Sequence, residues 1–107
     1  MAPRKLTLAT IRKVAASLPD VEEGTSYGTP AFRCKKKLIA RLHQDGKSLV
    51  LKVGDATREH LLQADPDTFF VTEHYRGYPY VLAHLDRLTR IDLRKLLQRA
   101  VEVSPRP

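Results

Sequence analysis

Three tyrosines and an arginine fall within eight positions of this chain, from His74 to Val81, with the sequence HYRGYPYV. The glycine permits positive φ and the proline fixes φ, so the segment is expected to form a stiff bend. The planar guanidinium of Arg76 suits phosphate or carboxylate, and Tyr75 and Tyr78 offer flat faces. Rings interleaved with a cation are what base stacking and phosphate neutralisation require. The segment therefore indicates a nucleic-acid contact, with tyrosines that only fill the core as the alternative.

A second stretch, Ser26 to Phe32 (SYGTPAF), combines hydroxyl groups with a glycine and a proline that allow close backbone approach. The hydroxyls of Ser26, Tyr27 and Thr29 can donate or accept hydrogen bonds. A hydroxyl becomes a nucleophile only beside an oriented base, and the spacing supplies none. The favoured interpretation is a strand entry shaped by steric demands.

Four histidines are the other candidates for chemistry, and no two are spaced four apart on one helix face as metal ligands would be. They are His43, His60, His74 and His84. His74 beside Glu73 or Arg76 is a conceivable acid–base group and equally a loop residue that makes hydrogen bonds. No nucleophile, base and oxyanion donor are assembled by spacing, and no nucleotide-binding glycine loop is present. We therefore expect a protein that is not an enzyme and uses no metal or cofactor.

The net charge of +7 comes entirely from the first half of the chain. The first 53 residues hold 11 Lys and Arg against 4 Asp and Glu, whereas the remaining 54 hold eight of each. Part of the excess is the run Lys35, Lys36 and Lys37. This run either binds an anion or is a surface turn that provides solubility and protects a sheet edge.

Length and composition limit the class of protein. A chain of 107 residues, 42% of them hydrophobic, has room for one globular domain with a modest core. A lone cysteine, Cys34, cannot form an internal disulfide and favours a reducing, cytoplasmic setting. No apolar run approaches the roughly 20 residues of a membrane span, and no signal peptide is evident. We expect a single domain over residues 1–107, with a basic leader at 1–6 and a frayed tail at 104–107.

Hydrophobic periodicity predicts three helices. They begin near Thr7, Ala56 and Thr89, and the first ends before Pro19. The acidic stretch from Asp20 to Thr25 contains a glycine and is predicted to be a connection.

Five strands are predicted between these helices. They are Tyr27 to Cys34, Leu38 to His43, Ser48 to Val53, Thr68 to Thr72, and Pro79 or Tyr80 to Leu85. Gln44 to Lys47, with Asp-Gly at its centre, predicts a hairpin turn. Alternation in the second strand places Leu38, Ala40 and Leu42 on one face and Ile39, Arg41 and His43 on the other. In the third, Leu49, Leu51 and Val53 point inward, and Ser48, Val50 and Lys52 point outward.

The predicted order is α-β-β-β-α-β-β-α, without an internal repeat. Hairpins favour an antiparallel sheet, and amphipathic helices need one sheet face to cover. The sequence therefore predicts a two-layer α+β domain with a five-stranded antiparallel sheet and the helices mainly on one face. The other face is expected to be at least partly free.

Three of these stretches, LPDVEEGTSYGTPAFR, KSLVLKV and FFVTEHYRGYPYVL, together look like the MmcQ/YjbR family of small bacterial proteins. The resemblance covers about residues 7–103, and its two Gly-Pro-aromatic motifs are fairly specific. It implies an α+β domain similar to frataxin or to secretion chaperones. It also implies a DNA-binding role, by likeness to a double-wing DNA-binding domain. The family supplies no catalytic residues to carry over.

The first hypothesis is a non-enzymatic module that binds nucleic acid, DNA in particular. Its predicted contact residues are Lys35, Lys36, Lys37, Arg41, Lys52, Tyr75, Arg76 and Tyr78. In this hypothesis Arg41 and Lys52 lie on the exposed sheet face, the lysine turn lies over the phosphates, and Arg76 flanks the groove with its neighbouring tyrosines.

The second hypothesis is a module that binds a protein partner or a small anion through the same sheet face. Ile39 and Val50 lie among the charges of that face and offer an apolar centre for a partner. A monomer is favoured, and no membrane partner is expected. Both hypotheses require that the helices leave this face bare.

Overall fold

The computed structural model describes residues 6–103, which form three α-helices and one six-stranded antiparallel sheet. The helices are α1 (Leu8–Ala16), α2 (Asp55–Ala64) and α3 (Arg90–Val103). The strands are β1 (Val21–Ser26), β2 (Thr29–Cys34), β3 (Lys37–Leu42), β4 (Ser48–Lys52), β5 (Phe69–Phe70) and β6 (Tyr80–His84). They are ordered β1-β2-β3-β4-β6-β5 across the sheet. Except for Leu6, the predicted leader and tail lie outside the described residues.

The predicted two-layer α+β architecture with an antiparallel sheet is confirmed. Helices α1 and α3 contact each other and pack on one face of the sheet, where their apolar sides meet the inward side chains of the strands. Helix α3 buries Leu93, Leu96 and Leu97. Its start is fixed by a reciprocal cap, in which the Asp92 N–H donates to Thr89 Oγ1 at 3.1 Å and the Thr89 N–H donates to Asp92 Oδ2 at 3.2 Å. Within residues 6–103, the helices lack the length and hydrophobicity that spanning a bilayer requires.

The acidic stretch predicted as a connection is a strand, so the sheet has six strands and not five. Strand β1 pairs with β2 along its whole length, from Val21 opposite Cys34 to Ser26 opposite Thr29. It is an edge strand, and Glu22 and Glu23 remain exposed. Its structure follows from pairing through a tight turn and not from burial of an apolar face, so hydrophobic alternation did not reveal it.

A β-bulge in β3 changes which of its side chains share a face. Phe32 is paired with Ala40, but Arg33 is paired with Leu38, so Ile39 is an extra residue in the ladder. Ile39 and Ala40 both join the helix-covered core. The prediction that Leu38 and Ile39 follow simple alternation was therefore wrong, since the bulge turns Leu38 to the same face as Arg41.

The sheet face away from α1 and α3 is partly covered. Val50, predicted to point outward into solvent, has 0% exposure, and Leu82 beside it is equally buried. They form a second, small apolar cluster with Tyr75, which comes from a 3₁₀ turn at Glu73–Tyr75 that follows β5. The 71–80 segment therefore closes part of the face that both functional hypotheses assumed to be bare.

The turn between β3 and β4 is capped by Asp45, whose carboxylate accepts hydrogen bonds from the N–H groups of Lys47 (2.8 Å) and Ser48 (3.0 Å). It also accepts from the Ser48 hydroxyl at 3.0 Å. Partial burial by itself would raise the pKa of Asp45, but the hydrogen bonds from Lys47 and Ser48 outweigh it and lower that pKa. The ionised carboxylate is therefore a specific component of this turn.

We predict that Asp45→Ala lowers the free energy of unfolding by about 1 kcal/mol at pH 7, because two backbone N–H groups lose their acceptor. A group whose pKa is lowered by folding stabilises the protein above its unfolded pKa, and that stabilisation is lost as the pH falls. The difference from the wild type should therefore shrink below about pH 4. Urea denaturation at pH 7 and pH 3.5 measures it. An equal difference at both values would contradict the role of the charge.

Candidate ligand-binding pocket

All four tyrosines of the chain line one cavity of about 410 Å³ on the sheet face away from α1 and α3. They are Tyr27, Tyr75, Tyr78 and Tyr80. Tyr27 lies in the turn between β1 and β2, whereas the others lie in or beside the HYRGYP bend. The remaining lining includes Ser26, Leu38 and His74, with Arg41 from the centre of the sheet. The fold therefore brings two distant aromatic stretches around a single arginine.

Arg41 is almost fully buried, with 2% of its surface exposed. It lies near the end of β3, an inner strand of the sheet, and is paired with Ala31 of β2 and with Val50 of β4. The sequence-based prediction that Arg41 lies on an exposed face was wrong, because the tyrosines on both sides cover it. Removing a charged guanidinium from water costs several kcal/mol unless partners replace the lost hydration. The hydrogen-bond and charge partners of Arg41 therefore indicate what the pocket can bind.

The guanidinium of Arg41 is only partly satisfied. Its Nη1 donates to the hydroxyl of Tyr75 at 2.6 Å, and its central carbon lies 5.4 Å from the centre of the Tyr27 ring, a cation–π contact. No described residue accepts a hydrogen bond from Nε or Nη2, and both atoms are buried. No carboxylate in residues 6–103 pairs with Arg41 within 4.0 Å. Two nitrogen donors of a buried cation, Nε and Nη2, are thus left for a partner other than the described residues.

Tyr27 is held over Arg41 by an unusual backbone conformation. Tyr27 and Gly28 connect β1 to β2, and their φ angles of 52° and 78° are both positive, as a type I′ hairpin turn requires. Positive φ is easy for glycine but costs roughly 1 kcal/mol for a residue with a Cβ. Tyr27 is nevertheless 77% exposed and gains little from burial. Three other non-glycine residues among those described also have positive φ, so it is the contact of the ring with the buried cation that marks Tyr27 as part of the site.

The HYRGYP bend forms the opposite wall. Gly77 has a φ of 85°, as the sequence predicted, and the Tyr78 N–H donates to the Tyr75 carbonyl at 3.1 Å. Arg58 of α2 donates to the carbonyl of Tyr78, which ties the bend to a helix. The rings of Tyr75 and Tyr80 are tilted, with centroids 5.4 Å apart. The bend is thus a fixed wall, with Tyr78 58% exposed at its rim.

Burial, followed by the neighbouring Tyr75 and Tyr27, raises the pKa of the Tyr80 hydroxyl above its usual value of about 10. Tyr80 is therefore neutral at physiological pH. A neutral tyrosine can donate its proton to an anion, whereas a tyrosinate would repel one.

Three of the eight predicted contact residues line the cavity, namely Arg41, Tyr75 and Tyr78. Lys52 is half-buried next to Tyr80 in the ladder and does not line the cavity. Arg76 is 74% exposed and pairs with Glu73 at 3.1 Å.

Lys35, Lys36 and Lys37 do not join these residues. Lys35 and Lys36 form the turn between β2 and β3, and Lys37 pairs with Cys34. Lys37 precedes Arg41 by four positions, about 13 Å along a strand. The predicted contact residues are thus divided between a pocket with one buried cation and a lysine turn at the far end of β3.

Sequence reasoning did not include Ser26, Tyr27, Leu38, His74 or Tyr80 among the contact residues. The signal for Tyr27 is its place in Tyr-Gly between two strands, since a two-residue hairpin turn presents its first side chain at the end of the sheet. Leu38 had no readable signal, because the bulge depends on pairing with β2.

The lining supplies groups that can bind an anion. It holds one guanidinium, five hydroxyl groups and one imidazole, and no Asp or Glu. Among residues 6–103, no three His, Cys, Asp or Glu side chains are grouped as metal ligands would be. What this lining can do is hold a negative group on Arg41 and an apolar or flat body between the rings.

Comparisons with known proteins give one family and one structure. The family model described as YjbR matches residues 16–102. A crystal structure of the Deinococcus radiodurans protein DR2400, which carries the family-model domain DUF419, is similar with a TM-score of 0.70 and 26% sequence identity. The alignment covers 92% of this chain and 78% of that chain. A comparison with curated proteins finds no match.

Proposed function

The chain belongs to the YjbR family, and we propose that it is a binding domain that holds the negative group of a ligand on Arg41, inside the tyrosine-lined cavity. The observation that carries the proposal is a guanidinium with 2% exposure whose Nε and Nη2 have no protein partner in the described residues. A fold that buries such a group without a counter-ion loses stability, and an anion that completes its hydrogen bonds recovers it.

The tyrosines support the same proposal in two ways. Their faces provide apolar area for a flat ligand body, and their hydroxyls can donate to its polar atoms. The bend before Tyr80 is fixed by its backbone hydrogen bonds and holds the buried ring of Tyr75 in place before the ligand arrives, which lowers the entropy cost of binding. The exposed ring of Tyr27 has to turn aside to admit an anion to the buried Nε and Nη2 of Arg41. A site with one charge and flat walls favours a small anionic ligand.

We predict that 2-naphthoate or 2-naphthyl phosphate binds this cavity, and that the neutral 2-methoxynaphthalene binds at least tenfold more weakly. Naphthoate has about 13 non-hydrogen atoms, which at about 0.3 kcal/mol each corresponds to a Kd of about 1 mM or tighter. Titration of ¹⁵N-labelled protein followed by NMR should shift the amides of Tyr27 and Tyr75 first. If neither anion shifts these amides, the proposal fails.

Tyr78→Ala should weaken binding of the anion about tenfold, because one wall of the cavity is lost. Arg76→Gln is the matched control, since Arg76 neighbours Tyr78 in the chain but lies outside the lining and pairs with Glu73. Equal losses in both variants would indicate that the anion binds on the exposed surface of the bend and not in the pocket.

Single-stranded nucleic acid is a second candidate, favoured by the exposed rings of Tyr27 and Tyr78 at the rim. In that case oligothymidylate should bind with an affinity that falls steeply with salt, by about 0.7 log units per log unit of salt for each phosphate. Replacing Lys35 to Lys37 by glutamine should then reduce the slope. No binding below about 100 μM at low salt would remove this candidate, DNA included.

We further propose a reducing, cytoplasmic setting. The support is Cys34, a free thiol buried in the helix-covered core.

A further inference from the structure

The geometry points to a terminal carboxylate on a flat apolar body as the ligand class of this cavity. The inference rests on the proposed function of the pocket and goes one step beyond it. It assigns the carboxylate to the Nε and Nη2 edge of Arg41 and the flat body to the tyrosine walls.

One edge of the Arg41 guanidinium, formed by Nε and Nη2, has no hydrogen-bond partner among the described residues. A guanidinium presents its N–H groups as planar forks, and Nε–H and Nη2–H are the adjacent pair on one edge. Nη1 is already held by the Tyr75 hydroxyl at 2.6 Å, whereas Nε and Nη2 are buried and without partners in the described residues. Tyr75 thus fixes the plane of Arg41 and leaves one complete fork, which matches the two oxygens of a carboxylate.

The charge of the cavity limits the anion to a single negative charge. Among the described residues, Arg41 is the one Lys or Arg in the lining, and Lys52 and Arg76 lie outside it. A phosphate monoester carries between one and a half and two charges, roughly, near pH 7. It would leave part of its charge buried and uncompensated, which is costly. A carboxylate is neutralised completely.

The burial of Arg41 favours a carboxylate over a phosphodiester, although each carries a single negative charge. An internal phosphodiester continues into a sugar on both sides, so it must reach a cation from a groove or an open surface. Arg41 is 2% exposed, and Tyr75 and Tyr27 contact its guanidinium. A terminal group enters such a site more readily than the middle of a polymer. The position of the charge therefore favours a chain end over a nucleic-acid backbone.

The walls determine the rest of the ligand. Leu38 and the four rings provide apolar area, and about 410 Å³ lies at the small end of the range of roughly 300–1,000 Å³ for small-molecule sites. An aromatic or similarly flat body fits between rings on opposite sides. Two sources share this chemistry, namely a free aromatic acid and the C-terminal aromatic residue of a peptide.

The test compares 2-naphthoate, 2-naphthyl phosphate and methyl 2-naphthoate at pH 8 by calorimetry and NMR. We expect 2-naphthoate to bind at least tenfold more tightly than the phosphate and the neutral ester to bind weakest. If the phosphate binds as tightly as naphthoate or more tightly, the carboxylate inference is overturned and the pocket proposal stands. If neither anion reaches the pocket, the proposed function fails and this inference fails with it.

Two variants test the fork itself. Arg41→Lys keeps the charge but lacks the planar fork, so 2-naphthoate affinity should fall at least tenfold. Tyr75→Phe removes the hydroxyl that holds Nη1 and should weaken 2-naphthoate about fivefold without loss of fold, because ring packing is kept. Lys52→Gln, outside the lining, is the control and should change affinity less than twofold. Full affinity in both Arg41→Lys and Tyr75→Phe would overturn the role of the fork.

The two sources are separated by N-acetyl-tryptophan and its C-terminal amide. A peptide end is indicated if N-acetyl-tryptophan binds more tightly than 2-naphthoate and the amide at least tenfold more weakly. A free acid is indicated if 2-naphthoate is the tighter ligand. If the amide equals its acid, the carboxylate is not recognised and the inference is wrong.

Discussion

Arg41→Met is expected to leave the fold as stable as the wild type, or more stable by about 1–2 kcal/mol, while abolishing binding of the anion. Methionine fills a similar volume and has no charge to desolvate. What the fold loses is one hydrogen bond to Tyr75 and a cation–π contact with Tyr27. These do not offset the burial of a guanidinium with two unpaired nitrogens, Nε and Nη2.

Thermal unfolding measures the first part of this prediction. For a domain of about 100 residues, 1 kcal/mol corresponds to roughly 4–8 °C in Tm, so Arg41→Met should melt at the same temperature as the wild type or several degrees higher. Naphthoate affinity should fall about 100-fold, because the group that pairs with the anion is gone. A loss of 3 kcal/mol or more would show that Arg41 is needed for the fold itself.

Arg33→Met is the matched control for this variant. Arg33 lies on the neighbouring strand β2, does not line the cavity, and donates to the Thr25 carbonyl at 3.2 Å. We expect a small loss of stability, up to about 1 kcal/mol, and unchanged binding. The opposite responses of two arginines on adjacent strands would separate a binding arginine from a structural one.

Val50→Lys is expected to destabilise the domain by at least about 3 kcal/mol, enough to unfold a marginal protein of this size. Sequence alternation placed Val50 on a solvent-exposed face, where the same substitution would change the free energy of unfolding by no more than about 0.5 kcal/mol. In the structure Val50 has 0% exposure and packs with Leu82 under Tyr75. An ammonium group there loses its water and gains no carboxylate partner from the described residues of this cluster.

Urea denaturation compares Val50→Lys with Val50→Thr, which keeps the shape and adds one buried hydroxyl. The threonine variant should lose about 1–2 kcal/mol and remain measurable where the lysine variant is unfolded. Lys52→Met, two residues along the same strand and half-buried, should change the free energy of unfolding by less than about 1 kcal/mol. If Val50→Lys costs no more than Lys52→Met, the 71–80 segment does not cover the sheet.

Two costs to stability meet in the same cavity. Arg41 is a buried cation with incomplete hydrogen bonding, and Tyr27 is a non-glycine residue at positive φ. The helix-covered core, by contrast, consists of buried apolar residues. A buried cation that the protein leaves partly unsatisfied is expected where a site serves binding at a cost to stability.

The sequence by itself determined the elements whose signals are local. The periodicity of α3, the hairpin turn around Asp45, and the positive φ at Gly77 each follow from residues a few positions apart. The resemblance in its two Gly-Pro-aromatic motifs also identified the family, which the family match over residues 16–102 confirms. Local spacing was enough for these because helix caps, turns and amphipathic faces are formed by neighbours in the chain.

The tertiary structure alone decided the site. The extra residue Ile39 exists only because β3 pairs with β2, and this pairing turns Leu38 toward Arg41. Tyr27 and Tyr75 are 48 positions apart in the chain, yet both contact the same guanidinium. Whether a polar side chain on a strand is exposed or buried depends on the segment that packs over it. For Arg41, the covering residues come from distant parts of the sequence. Alternation reports which way a side chain points, but only long-range packing determines what it meets there.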